Sequence, residues 1–142
     1  MPPTKSANDA FSDAIQCGDE AAVKTLLAQS PELAHAQDWT PPPLHCAVLW
    51  NQPRIAEILL EHGADIERLD PDRQTTPLRY AIMFARADLI PLLLNHGANR
   101  GPIVAEGLSA LQLAREAAAG AYEEYDDLPK RGEYEEIIRL LL

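Results

Sequence analysis

The chain has 142 residues, of which 46% are hydrophobic and 24% charged, a composition that suits one globular domain. No apolar run approaches the roughly 18 to 20 residues that span a bilayer, and the start MPPTKSANDAF lacks a signal peptide's apolar stretch, so we expect a cytosolic protein without membrane contact. The net charge of −10 opposes a phosphate backbone, which argues against nucleic-acid binding and favours attraction of a basic partner protein. Alternatively, the acidity only keeps the chain soluble.

The two cysteines, Cys17 and Cys46, are too few for a disulfide framework. Neither has a second cysteine or a histidine at close metal-ligand spacing. We therefore expect both to be small packing residues, and we expect no metal and no cofactor.

A repeat becomes visible when the leucine pairs are aligned. They are Leu26-Leu27, Leu59-Leu60 and Leu93-Leu94, at steps of 33 and 34 residues. A second marker keeps the same register: Phe11 with Ala14, Leu44 with Ala47, Leu78 with Ala81, and Leu111 with Ala114. A fixed period in this range is the signature of a repeat architecture. The register predicts four units in one domain over 1–142, at approximately 8–40, 41–74, 75–107 and 108–142.

Each unit is predicted to contain two helices. A short apolar helix around the marker precedes a second helix that ends in the leucine pair. The second helices DEAAVKTLLA, PRIAEILLEH, DLIPLLLNH and YEEIIRLLL carry apolar residues at i, i+3 and i+4, which gives each a one-sided stripe. One helix pair cannot bury that stripe alone, so neighbouring units stack and share a continuous core.

The heptad LLEHGAD recurs 34 residues later as LLNHGAN. Gly63 and Gly97 follow the leucine-ended helices, where a residue in the left-handed conformation ends a helix. His62 and His96 lie in the last turn, where a cation suits the helix dipole. Since no carboxylate or third ligand stands at a suitable spacing, we assign these histidines no catalytic or metal role.

No catalytic motif is present in the sequence. It contains neither a G-x-S-x-G nucleophile turn nor a glycine-rich phosphate loop. Asp70 and Asp72 in LDPDRQT could suggest a carboxylate pair, but Asp beside Pro is turn chemistry, so we assign no metal there. The chain is predicted not to be an enzyme.

The segments TTPLRYA (Thr75–Ala81) and PPPLHCA (Pro41–Ala47), with the two HGA stops, resemble the ankyrin-repeat family from about Asn8 to the end of the sequence. The resemblance implies an all-α solenoid of stacked helix pairs, with hairpin loops projecting from one side. It also implies protein binding through a concave face, without catalysis. Thr76-Pro77 fits the family's start of the inner helix, a hydroxyl N-cap followed by proline at the first helical position.

Residues that depart from the family pattern lead to further predictions. Asn51 and Ala85 stand where a glycine usually links the two helices of a unit, and since the left-handed conformation costs alanine about 1 kcal/mol or more, we expect the loop at Ala85 to differ. With Asp88 as N-cap, Pro91 falls in the first turn of a helix that begins near Leu89. The hairpin side of unit one, SPELAHAQDWT, lacks a glycine stop, a variant common in bacterial ankyrin proteins that favours a bacterial source.

Unit four is about 14 residues longer than unit two between its alanine marker and its leucine pair, Leu140-Leu141. The insertion is roughly Gly120–Glu133, GAYEEYDDLPKRGE. One interpretation is a solvated loop that extends the inner helix before the chain turns at Pro129. The other is an acidic contact loop in which Tyr122 and Tyr125 touch a basic partner.

The predicted partner site is centred on Trp50 and Phe84, which share one repeat position on adjacent inner helices. Their preceding neighbours are also apolar, and such a patch is rarely retained on a soluble monomer without use. Trp39 in the preceding hairpin adds a second anchor. The candidate partner-binding residues are Trp39, Leu49, Trp50, Met83, Phe84, Tyr122 and Tyr125. The alternative is that packing between units covers the side chains on the inner helices.

The leading functional prediction is a non-enzymatic protein–protein interaction module that binds a partner protein through its concave face. The alternative is an immunity or antitoxin-like inhibitor, whose acidic surface occludes the active site of a toxic enzyme. We expect the free chain to be a monomer. The partner's identity does not follow from the fold.

Overall fold

The computed structural model describes residues 7–35, 42–71, 75–100, 109–120 and 131–142. Its helices are α1 (Ala7–Cys17), α2 (Glu20–Gln29), α3 (Pro43–Leu49), α4 (Pro53–Glu61), α5 (Pro77–Met83), α6 (Leu89–Asn95), α7 (Ala110–Ala118) and α8 (Arg131–Leu141), with a 3₁₀ turn at Pro31–His35. No strand forms within these ranges, so the all-α prediction is confirmed. No helix among them is both long and apolar enough to cross a membrane. The predicted repeat boundaries fall at or within the gaps and stay predictions.

The helices pair within units and stack in two layers. Units one to four are the pairs α1/α2, α3/α4, α5/α6 and α7/α8, and each inner helix contacts the next along α1, α3, α5 and α7. The outer helices α2, α4, α6 and α8 follow the same order. The marker alanines are buried between the inner helices: Ala14, Ala47, Ala81 and Ala114. Because small side chains let helix axes approach closely, these alanines set the spacing of the stack.

The leucine pairs of the central units behave as one buried and one half-buried residue. Leu59 and Leu93 are fully buried, whereas Leu60 and Leu94 only pack against the edge of the core. The stripe predicted from the sequence is therefore confirmed at the centre of the stack.

The predicted register is off by one residue in unit four. There Leu141 is buried and Leu140 only partly, and Ile137 lies one helical turn before the buried leucine. In unit one the buried leucine is Leu27, while Leu26 is half-buried. A terminal outer helix has one neighbouring unit instead of two, so its buried face turns toward that neighbour.

Replacing Leu59 with alanine should lower the free energy of unfolding by about 2 to 5 kcal/mol, because it leaves a cavity in a close-packed core. Leu60→Ala is the matched control, and it should cost about 1 kcal/mol because less apolar surface returns to water. Denaturant titration of both variants measures the difference. Equal losses, or a loss below about 1 kcal/mol at Leu59, would mean that the register is wrong.

The outer helices α4 and α6 end in the same way. Gly63 and Gly97 have φ values of +86° and +90°. After α4, the Gly63 amide donates to the Leu60 carbonyl at 3.0 Å and the Ala64 amide to the Leu59 carbonyl at 3.0 Å. This is a Schellman motif, repeated after α6, so the prediction of a helix stop is confirmed.

The histidines before these glycines bind the helix ends. Nδ1 of His62 donates to the Ile58 carbonyl at 2.9 Å, and Nδ1 of His96 donates to the Leu92 carbonyl at 2.8 Å. Both carbonyls lie in the last turn, where backbone acceptors lack complete intrahelical pairing. The role of both histidines in the structure is thus to cap carbonyls.

The turn between inner and outer helices begins in the same way in units two and three, but the connection has three residues between α3 and α4 and five between α5 and α6. The prediction of a different loop at Ala85 is therefore confirmed in the length of the loop, although alanine still adopts the left-handed conformation. Asn51 has φ +54° and Ala85 φ +51°. Their amides donate to Val48 and Ile82 at 3.0 and 3.1 Å. A second hydrogen bond follows in each turn. The Gln52 amide donates to the Ala47 carbonyl at 2.8 Å, and the Arg86 amide donates to the Ala81 carbonyl at 2.7 Å. These paired bonds hold alanine in a conformation that it disfavours.

Replacing Ala85 with glycine should therefore raise the free energy of unfolding by about 1 kcal/mol, because glycine adopts positive φ without strain. Asn51→Gly, at the equivalent position, should give a smaller gain, because asparagine tolerates this conformation better. Chemical denaturation of both variants gives the comparison. If Ala85→Gly is neutral or destabilising, alanine is not strained in this turn.

The helix starts follow most of the predicted cap chemistry. The Thr76 hydroxyl accepts a bond from the Arg79 amide at 3.4 Å, with proline next, as predicted. The helix start at Leu89 is also confirmed, and Pro91 falls in its first turn. Asp88 differs from the prediction: its backbone is already helical, at φ −69° and ψ −24°, and its side chain makes no cap bond. A side-chain cap requires an extended backbone at that residue.

The insertion in unit four is partly helical. Inner helix α7 has 9 residues against 7 in α5, but it ends at Ala118, before the predicted insertion begins at Gly120. Outer helix α8 begins at Arg131, so the last three residues of the predicted insertion are helical and not loop. Residues 121–130, with Tyr122 and Tyr125, lie outside the described residues.

Candidate protein-binding surface

The candidate surface lies at the carboxyl ends of two adjacent inner helices. Trp50 caps α3 with φ −86° and ψ 7°, and Phe84 caps α5 with φ −96° and ψ 8°. The matching backbone conformations give the two rings equivalent positions in neighbouring units. Leu49, Trp50, Met83 and Phe84 are termed the apolar patch.

The members of the apolar patch differ in exposure. Trp50 is 48% exposed, and Leu49, Met83 and Phe84 are half-buried. Packing between units thus covers these side chains only in part. An indole that is half in water contributes apolar surface that another protein could cover.

The patch is confined to the two central units. At the equivalent positions, unit one carries Gln16 and Cys17, which are both exposed. Unit four carries Glu116, which is exposed, and Ala117, which is buried. Polar side chains therefore flank the apolar residues along the row of inner-helix ends. An apolar centre with a polar rim is the usual anatomy of a protein interface.

Phe84 is connected to the core through aromatic contacts. Its ring meets Tyr80 edge-to-face, with centroids 5.7 Å apart and planes at 83°. Tyr80 in turn meets His45 edge-to-face at 4.9 Å and 89°. Such pairs contribute about 0.5 to 1.5 kcal/mol beyond area burial. They fix the ring of Phe84 while part of it remains in contact with solvent.

A buried polar cluster lies beneath these rings. His45 is fully buried, and its Nε2 donates to the Thr75 carbonyl at 2.7 Å. The same carbonyl accepts the Asp70 amide at 2.9 Å, and the Tyr80 hydroxyl donates to the Asp70 carboxylate. Asp70 is thus buried and hydrogen-bonded, as a structural turn residue would be. Among the residues that the structure describes, no group of three or more metal-ligating side chains is present, and Asp72 lies outside them.

Burial shifts the pKa values of two ionisable side chains of α3. It lowers the pKa of His45, opposed in part by the hydrogen bond to the Thr75 carbonyl and by the charge of Asp70. It raises the pKa of the Cys46 thiol to about 11, with a further contribution from Asp70. Cys46 is therefore a protonated, unreactive packing residue at neutral pH, as expected. Cys17 is exposed at the end of α1, so the expectation that it packs is wrong.

The lowered pKa of His45 makes stability depend on pH. The unfolded chain binds the proton more readily than the folded one, so the stabilising contribution is complete above the unfolded pKa of about 6.5 and is lost as the pH falls from there through the folded pKa. The loss is about 1.4 kcal/mol for each unit by which the pKa is depressed.

Unfolding titrations between pH 7.5 and 5 should show this loss, and it should shrink in His45→Gln. Glutamine is a suitable replacement because Gln112 occupies the same repeat position in unit four. The exposed His96→Gln is the control for exchanging a histidine for glutamine at a site outside the core. If His45→Gln and the parent lose the same free energy over this range, protonation of His45 does not limit acid stability.

The structure adds two residues that sequence reasoning missed. Arg86 Nη2 donates to the Leu49 carbonyl at 2.6 Å, and the Tyr134 hydroxyl donates to the Met83 carbonyl at 2.6 Å. Arg86 stands at the repeat position of Gln52, which was a detectable signal. The repeat position of Tyr134 was not visible in the sequence, because the insertion lies directly before this residue. Trp39, Tyr122 and Tyr125 lie outside the described residues, so their part in the site stays a prediction.

A family model described as "Ankyrin repeats (many copies)" matches residues 44–94, which hold both halves of the apolar patch. The chain belongs to the ankyrin-repeat family. Ankyrin repeats are generally protein–protein interaction modules, without enzymatic activity. The resemblance seen in the sequence is thereby confirmed.

Known proteins match part of this chain within much longer chains of their own. The serine/threonine-protein kinase VIK of Arabidopsis thaliana is 40% identical over 80 residues, 56% of this chain and 18% of the kinase. The palmitoyltransferase ZDHHC13 of Homo sapiens is 35% identical over 71 residues, 50% of this chain and 11% of that protein. Ankyrin repeat and SOCS box protein 11 of Pongo abelii is 31% identical over 105 residues, 72% of this chain and 31% of its own.

The relatives are much longer proteins than this chain. The chain spans less than a third of the length of the three relatives, so the activities in their names belong to those proteins. They come from a plant and from mammals, and the bacterial source stays a prediction.

Proposed function

We propose that the chain binds another protein through the apolar patch on the concave side of its inner helices. The observation that carries the proposal is the 48% exposure of Trp50 beside a half-buried Phe84 at the same repeat position. Tryptophan is a frequent hot spot at the centre of interfaces, where neighbouring groups exclude water. Because the helix ends are already rigid, their backbone does not have to lose conformational entropy when a partner binds.

The acidic surface sets the preferred chemistry of the partner. With a net charge of −10, the chain attracts a protein with a basic rim and repels nucleic acid. Charge of this kind accelerates encounter and disfavours wrong partners more than it adds affinity. The proposed form is a cytoplasmic monomer that carries no cofactor and does not bind membranes.

A second function that the same charge favours is inhibition of a basic enzyme, in the manner of an immunity protein. In that case the patch docks beside the enzyme's active site and the acidic side chains occlude it. Co-expression with the product of a neighbouring toxin gene distinguishes the two functions. Rescue of growth favours inhibition, and binding without rescue favours a module that only assembles proteins.

Trp50→Ala and Phe84→Ala should each weaken partner binding by about 2 kcal/mol, roughly 30-fold, because each removes a central apolar anchor. The partner is first identified by affinity purification on the tagged chain, and binding is then measured by calorimetry. Leu142→Ala, which truncates a leucine that is 77% exposed outside the patch, is the control. Unchanged affinity in both patch variants would move the site elsewhere, most directly to the acidic insertion.

A further inference from the structure

One hydrogen bond recurs at each junction between units. The three bonds run from Gln52 Nε2 to the Gln16 carbonyl (3.4 Å), from Arg86 Nη2 to the Leu49 carbonyl (2.6 Å), and from the Tyr134 hydroxyl to the Met83 carbonyl (2.6 Å). The acceptors share one repeat position, the residue just before the position of Trp50 and Phe84. The donors belong to the following unit. The same contact is thus made by an amide, a guanidinium and a phenol.

The acceptor carbonyls need such partners. They lie at the ends of inner helices, where the last backbone carbonyls have no intrahelical amide to bind. A charged donor gives a shorter and stronger bond than a neutral amide, which fits the difference between Arg86 and Gln52.

Neither of the two donors beside the patch is an ordinary solvated surface group. Tyr134 is 1% exposed. Arg86 is half-buried, and its Nε is buried with no hydrogen-bond partner among the residues that the structure describes. A buried, incompletely paired guanidinium is costly, so its place must be maintained by the contacts that it does make.

We infer that Arg86 and Tyr134 are positioning residues for the apolar patch, each fixing the backbone directly before one of its two aromatic rings. Arg86 holds the Leu49 carbonyl and thereby the start of the Trp50 cap, and Tyr134 does the same at Met83 for Phe84. The placement of each ring is therefore set by the unit that follows it. This inference rests on the proposed function only in treating the patch as a binding site.

The end of the insertion coincides with one of these positioning residues. Tyr134 is a buried residue of α8 and follows the inserted segment directly. Its hydroxyl makes the same type of hydrogen bond that Arg86 makes one unit earlier. The backbone directly before Phe84 is therefore still bound by the following unit, although the insertion lengthens that unit.

Fluorine NMR on the full chain tests the inference without a partner. The chain has two phenylalanines, Phe11 and Phe84, and two tryptophans, Trp39 and Trp50. Labelling with 4-fluorophenylalanine and 5-fluorotryptophan gives one probe in each half of the patch. Phe11 is fully buried in α1 and serves as the internal reference for folding. Trp39→Phe assigns the Trp50 signal.

Arg86→Met should shift the Trp50 resonance by more than its linewidth, with Phe11 unmoved. Arg86→Gln is the matched variant, because it also removes the charge but keeps an amide donor of the kind found at Gln52. It should keep the Trp50 resonance near that of the parent. Tyr134→Phe, which removes one hydroxyl, adds a third fluorophenylalanine signal, and comparison with Tyr134→Leu, which has only the signals of Phe11 and Phe84, assigns it. Tyr134→Phe should shift the Phe84 resonance and leave Trp50 in place.

The inference is overturned if Arg86→Met and Arg86→Gln give the same Trp50 spectrum, or if Tyr134→Phe leaves Phe84 unmoved. If Arg86→Met does not fold, as the Phe11 signal reports, the Tyr134→Phe spectrum decides alone. The proposed function fails by a different result, namely unchanged partner affinity in the alanine variants of the patch. The two failures are therefore distinguishable.

Discussion

The stack depends on a left-handed residue where the chain turns from an inner to an outer helix and where the outer helices of the central units end. Between inner and outer helices this residue is Gly18, Asn51 or Ala85, and after the outer helices of the central units it is Gly63 or Gly97. A helix pair can lay its apolar stripe on the next pair only if the inner helices of both pairs end in a similar reversal. The backbone hydrogen bonds of the turns enforce that geometry even where the residue is alanine.

The candidate binding surface follows from the same constraint. Because the inner helices of units one to three end in the same turn, the residues before the turn line up across these units, and units two and three place large apolar side chains there. Unit one places polar residues and unit four places an exposed glutamate at the corresponding positions. The surface is thus a consequence of repetition, and its limits are set by which units depart from the repeat.

The fold was predictable because stacking repeats demand a fixed register, which the leucine pairs and alanine markers reveal. The errors occur where a unit lacks a neighbour or an insertion breaks the register, as at Leu27 and Leu141. At Ala85 the loop differs in length as predicted, but alanine keeps the left-handed conformation because hydrogen bonds on both sides outweigh its intrinsic preference.

The candidate site was only partly predictable from the sequence. Repeat position indicated Trp50 and Phe84, since equivalent positions in a solenoid lie side by side. The degree of exposure depends on side-chain packing, which no repeat pattern contains. The shared repeat position of Gln52 and Arg86 was visible in the sequence, but the role of the donors was not, because three different side chains make the same type of hydrogen bond to a backbone carbonyl.

We propose that a partner binds at the ends of the inner helices of units two and three. Backbone hydrogen–deuterium exchange of the chain, free and in complex with its purified partner, tests this proposal. We expect slower exchange in the complex at residues 49–52 and 83–86, with residues 61–64 and 95–98, at the ends of the outer helices, unchanged. Slowing confined to the outer-helix stops, with no change at the inner-helix ends, would contradict it.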